Sequence, residues 1–322
     1  MISMITKNID DIKIGLVLSG GGAKGADEAG VFKAIESLDI AKNISVVSGT
    51  SIGTVNGLMF LMDDSDIVES SWASVNYSRF ILNEDSVRNK NITDAIKRIY
   101  TGEKATIETL FARQGDIGLL SQSGVRQFIE EYINLNIIKE CSRTIYACAY
   151  NIGLEHPEYF KLNDYSNDEA IDIILASCAI PFIFKPIKIN GYKYADGGIN
   201  NPKYANKNAD NVPIKPIINH DCDLIIVIYL SHRDKIDKKY FENNNIVEIY
   251  PSAHLETIQG IGTINLNQST LSDRIDLGYR DGLVALSPIV VALLKGKSIK
   301  NLIETHNESN KILLNKFRMF NS

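Results

Sequence analysis

Residues 15–36 read GLVLSGGGAKGADEAGVFKAIE: an apolar run, a glycine-dense turn, then a segment in which Ala29, Phe32, Ile35 and Leu38 recur at roughly helical spacing. That order predicts a buried strand passing through a tight turn into a helix, the opening unit of an α/β layer fold. Within it Gly20, Gly22 and Gly25 fit G-x-G-x-x-G. Such spacing lets backbone N–H groups close on a pyrophosphate at a helix N-terminus, so a dinucleotide site is the first reading to test.

A dinucleotide site needs a carboxylate at the end of the second strand, about 20 residues past the glycines, to hold the ribose hydroxyls. The next strand, ISVVS at 44–48, ends in no acid, and Asp39 comes too early. A Walker phosphate loop fails as well, because Lys24 precedes the last glycine and no Ser or Thr follows it. Instead the strand enters Gly49-Thr50-Ser51-Ile52-Gly53, a G-x-S-x-G placed between a strand and a helix predicted over 52–62. This is the setting of a nucleophile elbow, where small flanking residues permit a turn sharp enough to expose the serine hydroxyl. A serine that merely caps the helix fits the same pentapeptide, and both readings stand at this point.

A nucleophilic serine needs a base. Of the five histidines, His156, His220, His232, His254 and His306, none follows a convincing strand at a turn; His220 in NHDCD is the best placed. Asp196, in YKYADGGINNP, ends a predicted strand at a turn whose glycines, Gly197 and Gly198, allow close backbone approach. An ordinary Asp-Gly turn reads the same way.

Strands are further predicted at 143–150, 157–162 and 223–230, with an edge strand at 246–251 and a helix at 168–177. Residues 178–189 read as an apolar loop, 63–140 as a mostly helical insertion without strands, and the chain from 270 as two helical segments. One elaborated domain over 1–322 is expected, with a core at about 12–205 and a strand and helix extension at 206–322. The formal net charge of −5 sets the chain against nucleic-acid polymers, whose binding rests on Lys and Arg. The uninterrupted apolar runs 224–230 and 289–294 fall well short of the roughly 20 residues that span a bilayer. Cys141, Cys148, Cys178 and Cys222 lack metal or disulfide spacing, so a reduced, cytoplasmic protein without metal or cofactor is expected.

Taken in order, SGGGAKGADEAGV (19–31), GTSIG (49–53), ASCAIPFIFKPIKINGYKYADGGINNP (176–202) and DLGYRDG (276–282) resemble the patatin-like phospholipase family. The resemblance implies a three-layer α/β/α fold with a mainly parallel central sheet. It implies a Ser51–Asp196 dyad without histidine and an oxyanion hole from Gly20, Gly21 and Gly22. Lys24, Gly25, Gly49, Gly53, Gly197 and Gly198 would support these motifs, Lys24 lying near the hole, at a lipid headgroup, or simply exposed. Its implied substrate is membrane glycerophospholipid met by peripheral, transient contact. Some relatives are effectors switched on by a small molecule or a protein, which makes an activator an implied partner and 63–140 the place for a lid. Such a dyad requires Asp196 to titrate above the usual carboxylate range near 4. Two positions depart from the pattern. Asp27 stands where a bulky residue is usual and should put negative charge close to the hole, which keeps a lipid-binding, non-catalytic alternative open. Cys178 replaces a small residue and reads as packing. A dinucleotide-dependent oxidoreductase and a histidine-dependent esterase are the remaining alternatives.

Overall fold

The computed structural model describes residues 9–75, 122–181, 184–198, 209–237, 241, 244–255 and 262–319. The first apolar run forms β1 (Ile14–Leu18), and the glycine turn leads through one 3-10 turn, Gly22–Gly25, straight into α1 (Ala26–Ser37). β2 (Ile44–Thr50), α2 (Ile52–Phe60) and α3 (Ser65–Ser74) follow, α3 capped by the Asp64 carboxylate. Next come α4 (Ser123–Tyr132), α5 (Ile137–Glu140), β3 (Thr144–Asn151) and β4 (His156–Lys161). A capping box between Ser166 and Glu169 opens α6 (Asn167–Ser177). β5 (Ile187–Ile189), β6 (Tyr192–Asp196), β7 (Leu224–Ile228), β8 (Ile246–Ile249), α7 (Gln268–Leu294) and α8 (Lys300–Met319) complete the described elements. The apolar loop expected at 178–189 therefore contains a short strand, because the Asn190-Gly191 turn folds Ile187–Ile189 back on β6. Of the expected insertion at 63–140, α3, α4 and α5 are described, while 76–121 lie outside the described residues.

All eight strands share one sheet, ordered β5-β6-β3-β2-β1-β7-β8, with β4 also paired to β3. The run β3-β2-β1-β7-β8 is parallel, and β4, β5 and β6 join it antiparallel. This is the mainly parallel α/β sheet expected. Its central strands are continuous apolar runs because both faces are covered. Leu16 and Leu18 enter the core built with α1, α2, α6 and α7, whereas Val17 enters a smaller one with Val212, Ile214 and Ile217, against which Leu313 and Leu314 of α8 pack. β8 is the edge strand. Asn307 of α8 binds its backbone at Ile246 O (2.7 Å) and Glu248 N (3.1 Å), and Asn310 reaches Glu248 O at 2.6 Å, so its outer edge is not left open.

β3 aligns the ends of β2 and β6. β4 runs along one edge of β3 over residues 146–151. The opposite edge is shared, β2 pairing with 144–148 and β6 with 149–151. Thr50 at the end of β2 thus faces Cys148, and Asp196 at the end of β6 faces Ala149.

At 27 residues, α7 is the one described helix long and apolar enough to cross a membrane. Here it is a core helix, with Leu271, Ile275, Leu286, Ile289 and Leu293 buried. It meets α1 at backbone contact: a Cβ on Gly278 would sit 1.9 Å from the Asp27 carbonyl oxygen, and one on Gly30 would sit 2.0 Å from that of Ile275. Replacing Gly278 by Ala must push the helices apart, an expected loss of about 3 kcal/mol or more, whereas the roomy Gly153→Ala should stay within about 0.5. Urea denaturation of the two variants checks the contrast.

Candidate active site

Ser51 occupies the turn between β2 and α2 with φ 55° and ψ −125°, a conformation that costs a non-glycine residue roughly 1–3 kcal/mol. Its N–H donates to Ser177 Oγ at 2.8 Å, and its carbonyl accepts from Thr54 N at 2.9 Å. Ser177 in turn donates to Cys148 O at 2.7 Å, which ties the elbow to β3. The two flanking glycines are steric requirements. A Cβ on Gly49 would lie 2.4 Å from the Gly53 backbone, and one on Gly53 would lie 2.5 Å from Leu18 O. The Ser51 side chain makes no capping bond to α2, so the capping alternative fails.

Instead the Ser51 side chain neighbours the Asp196 carboxyl, close enough for its hydroxyl to pull that pKa down. The register of β3 explains the encounter, since it sets the ends of β2 and β6 side by side. The Asp196 N–H donates to Ala179 O at 3.0 Å, and Oδ1 accepts from Gly198 N at 2.8 Å. Burial pushes the Asp196 carboxyl up to about 6, against the opposing pull of the Ser51 hydroxyl and the Gly198 N–H. Cys178, expected to be packing, adjoins this pair: burial together with the Asp196 charge raises its thiol pKa, against the pull of the neighbouring Ser51.

The glycine turn faces the elbow; the nearest backbone atom to a Cβ on Gly20 would be Thr50 O, at 3.4 Å. Gly20 N donates to Asn211 O at 3.1 Å, and Asn211 Nδ2 returns a bond to Gly20 O at 3.1 Å. Gly20 is thereby removed from the three donors expected of this turn. The N–H groups of Gly21 and Gly22 have no partner among the described residues. Lys24 is buried rather than exposed, and its charge favours ionisation of Asp234, whose carboxyl burial otherwise raises and which accepts from Asn211 Nδ2 at 2.8 Å. Gly25 packs on Ile52, and its carbonyl accepts from Asn56 Nδ2 at 2.9 Å, fixing the turn to α2. Asn211 also closes on Gly198, and Asp210 N donates to Gly197 O at 3.0 Å. One residue pair thus braces both the glycine turn and the Asp196 turn.

Asp27 is buried between α1 and α7, where burial first, and then the Asp281 charge, raise its pKa well above the usual range despite Arg274. Burial in this interface thus favours its neutral form, while the Arg274 charge opposes that. Among the histidines, His220 meets the Tyr146 hydroxyl at 3.1 Å, His232 the Pro251 carbonyl at 2.7 Å and His306 the Glu248 carbonyl at 2.9 Å. His254 packs on Phe317 and His156 lies near Glu158, so no such contact joins a histidine to Ser51 or Asp196. No group of three or more metal-ligating side chains occurs among the described residues.

Residues 16–216 match the model of the patatin-like phospholipase family, and the chain belongs to that family of lipid ester hydrolases. A probable lipid hydrolase, 463L of Invertebrate iridescent virus 6, is 26% identical over 260 residues, 73% of this chain and 77% of its own. Lysophospholipase nte1 of Aspergillus terreus is 47% identical over 55 residues, which are 17% of this chain but only 3% of that protein. Among solved structures, VipD from Legionella pneumophila aligns at 14% identity with a TM-score of 0.47, covering 86% of this chain and 67% of its own.

Sequence reasoning missed Ser177, Asn211 and Asp234. Ser177 lay inside a quoted motif without a role, and Asn211 and Asp234 act on residues some 190 and 210 positions away in sequence, Gly20 by hydrogen bond and Lys24 through charge. The raised Asp196 carboxyl carries a sign. Its folded value near 6 exceeds the ordinary 3.8, so its stabilising share is complete below about 4 and is lost as pH rises through 6. Asp196→Asn should therefore be more stable than wild type at pH 8, by on the order of 1–3 kcal/mol, with the gap closing toward pH 5. Urea titrations at the two pH values decide it; a wild type as stable as the variant at pH 8 means no buried charge at Asp196.

Proposed function

We propose that this chain hydrolyses fatty-acyl esters of membrane glycerophospholipids, with Ser51 as nucleophile and Asp196 as its base. One observation carries the reading: a buried carboxylate, titrating near 6, neighbours a serine hydroxyl on a strained elbow. Raised by about two units, such a carboxylate is roughly a hundredfold stronger base than an ordinary one yet still mostly ionised at pH 7–8. Asp196 takes the Ser51 proton as Oγ attacks the acyl carbonyl, and then returns it to the departing alcohol oxygen. Water then attacks the acyl-Ser51 carbonyl, giving a proton to Asp196, which passes it to Ser51 Oγ as the fatty acid is released. The developing oxyanion is met by the N–H groups of Gly21 and Gly22, at the opening of the 3-10 turn that leads into α1. Ser177 is a positioning residue: it holds the Ser51 backbone, so that the hydroxyl points at Asp196. The phospholipid substrate and peripheral membrane contact follow from the family, and the names of the relatives, a lipid hydrolase and a lysophospholipase, support them.

Fatty-acid release from mixed phospholipid vesicles tests the reading. Ser51→Ala and Asp196→Asn should each lower release by at least about a thousandfold, as loss of a nucleophile or base does elsewhere. Wild-type kcat/KM should rise with pH to a plateau, with its midpoint near 6. Ser177→Ala should lower kcat by about tenfold or more with little change in KM. Activity that appears only after addition of cell extract or a signal nucleotide would make an activator part of this function. Lipid binding without turnover under every such condition would refute the catalytic reading.

A further inference from the structure

Two β-hairpins stand beside the dyad and carry apolar side chains into solvent. The β3–β4 turn presents Ile152 (40% exposed) and Leu154 (50%), and the β5–β6 turn presents Tyr192 (47%). The hairpins form one unit: Ile152 N donates to Lys193 O at 2.9 Å, and the Tyr192 ring lies against Gly153. Their direction follows from the sheet. β6 runs from Tyr192 at its tip down to Asp196 at the dyad, and four strand steps place the tip about 13 Å beyond the site. The tips therefore project from the end of the sheet at which Ser51 lies, beyond the C-terminal end of β2.

Charge surrounds these side chains. Lys185, Lys188 and Lys193 are exposed on the β5–β6 hairpin and the segment leading into it. Lys188 and Lys193 stand directly opposite each other across the strands, a like-charge pairing that is unfavourable in isolation. The acids on the two hairpins short of the dyad are Glu155, in the first turn, and Glu158, whose carboxylate is engaged by Asn151 at 2.9 Å and the Tyr194 hydroxyl at 2.7 Å. This basic cluster belongs to a chain of net charge −5. Rigid apolar tips, a tyrosine at their border and a lysine flank together match the surface of an anionic bilayer, where apolar groups enter the headgroup boundary and lysines meet lipid charge.

We propose that the paired hairpin tips Ile152, Leu154 and Tyr192, flanked by Lys185 and Lys188, dock this protein on anionic membranes and set the dyad against the lipid surface. This rests on the lipid-hydrolase reading for its purpose, but its test does not require turnover. Ser51→Ala protein is mixed with vesicles of equal parts phosphatidylglycerol and phosphatidylcholine, or of phosphatidylcholine alone, and bound protein is measured by flotation. The parent should bind the anionic vesicles more tightly, and less so in high salt. Adding Ile152→Ser, Leu154→Ser and Tyr192→Ser should weaken binding about tenfold, and Lys185→Gln with Lys188→Gln should erase the preference for anionic vesicles. A thermal melt of each variant, within a few degrees of the parent, shows that the fold is kept. With Ser51 restored, the ratio of vesicle hydrolysis to hydrolysis of a monomeric short-chain ester should fall about tenfold in the serine variant. Undiminished binding by that variant overturns the proposal. So does a parent that ignores vesicles, which would assign the tips to a protein partner. Tip-dependent docking by a chain whose wild type cleaves neither ester, with or without added cell extract or signal nucleotide, would instead sink the hydrolase reading and leave the docking surface standing.

Discussion

The site depends on how β3 divides one of its edges. β2 pairs with the first part of that edge and β6 with the rest, so adjacent residues, Cys148 and Ala149, hold Thr50 and Asp196 as neighbours. No local signal brings Ser51 to Asp196 across so long a stretch of chain; the register of a third strand does. Cys148 adds a second constraint, since its carbonyl receives the Ser177 hydroxyl that also accepts from Ser51 N–H. A slip of one residue in β3 would turn the buried side chains of the strand toward the wrong face and separate serine from carboxylate. Core packing and the geometry of the site are thus enforced by the same hydrogen-bond ladder.

Around that ladder the protein withdraws several carboxylates from water, Asp196 buried and Asp210 and Asp234 half-buried. Asp196, Asp210 and Asp234 are all raised by desolvation, and each is held by named partners: Ser51 and Gly198 for the first, Tyr159 for the second, Asn211 and Lys24 for the third. Buried carboxylates are tolerated only with such partners. The three are unequal in chemistry. Asp210 accepts from a neutral phenol that burial itself holds protonated, and Asp234 has a lysine, so both are braces for the loops that carry them. Only Asp196 faces a hydroxyl on a strained turn, which is the pairing that can move a proton during a reaction.

Much of this was legible in the sequence, for physical reasons that differ by element. β1, β2, β3 and β7 were readable because strands buried on both faces must be continuous apolar runs. The elbow was readable because two contacts under 3 Å, at Gly49 and Gly53, exclude any side chain there. β5 was not, since a three-residue strand leaves no periodicity and its pairing is imposed by the Asn190-Gly191 turn. The environment of Asp27 was hidden because it is made by α7, some 250 residues later, where Gly278 lets the helices touch. Gly20 looked like an anion donor until Asn211, in a stretch that reads as polar loop, took its N–H. What sequence hides here is consistently the partner supplied by a distant loop.

The opening fingerprint can now be understood through the sheet. β1 lies between β2 and β7, and its glycine turn leaves the sheet where strand order reverses, the place at which open α/β sheets bind ligands. A dinucleotide fold puts a row of N–H groups there for a permanent diphosphate and ends the next strand in an acid for the ribose. This chain ends that strand in Ser51, engages Gly20 with Asn211, and sets Lys24 against Asp234. Two N–H groups remain, with the local lysine already balanced by a carboxylate. Such a cradle is poorly matched to a diphosphate, and on the proposed reading it serves one oxygen whose charge exists only while an ester is being broken. On the proposed reading, the glycines are kept for their approach to an anion, and the residue that ends β2 decides which anion it is.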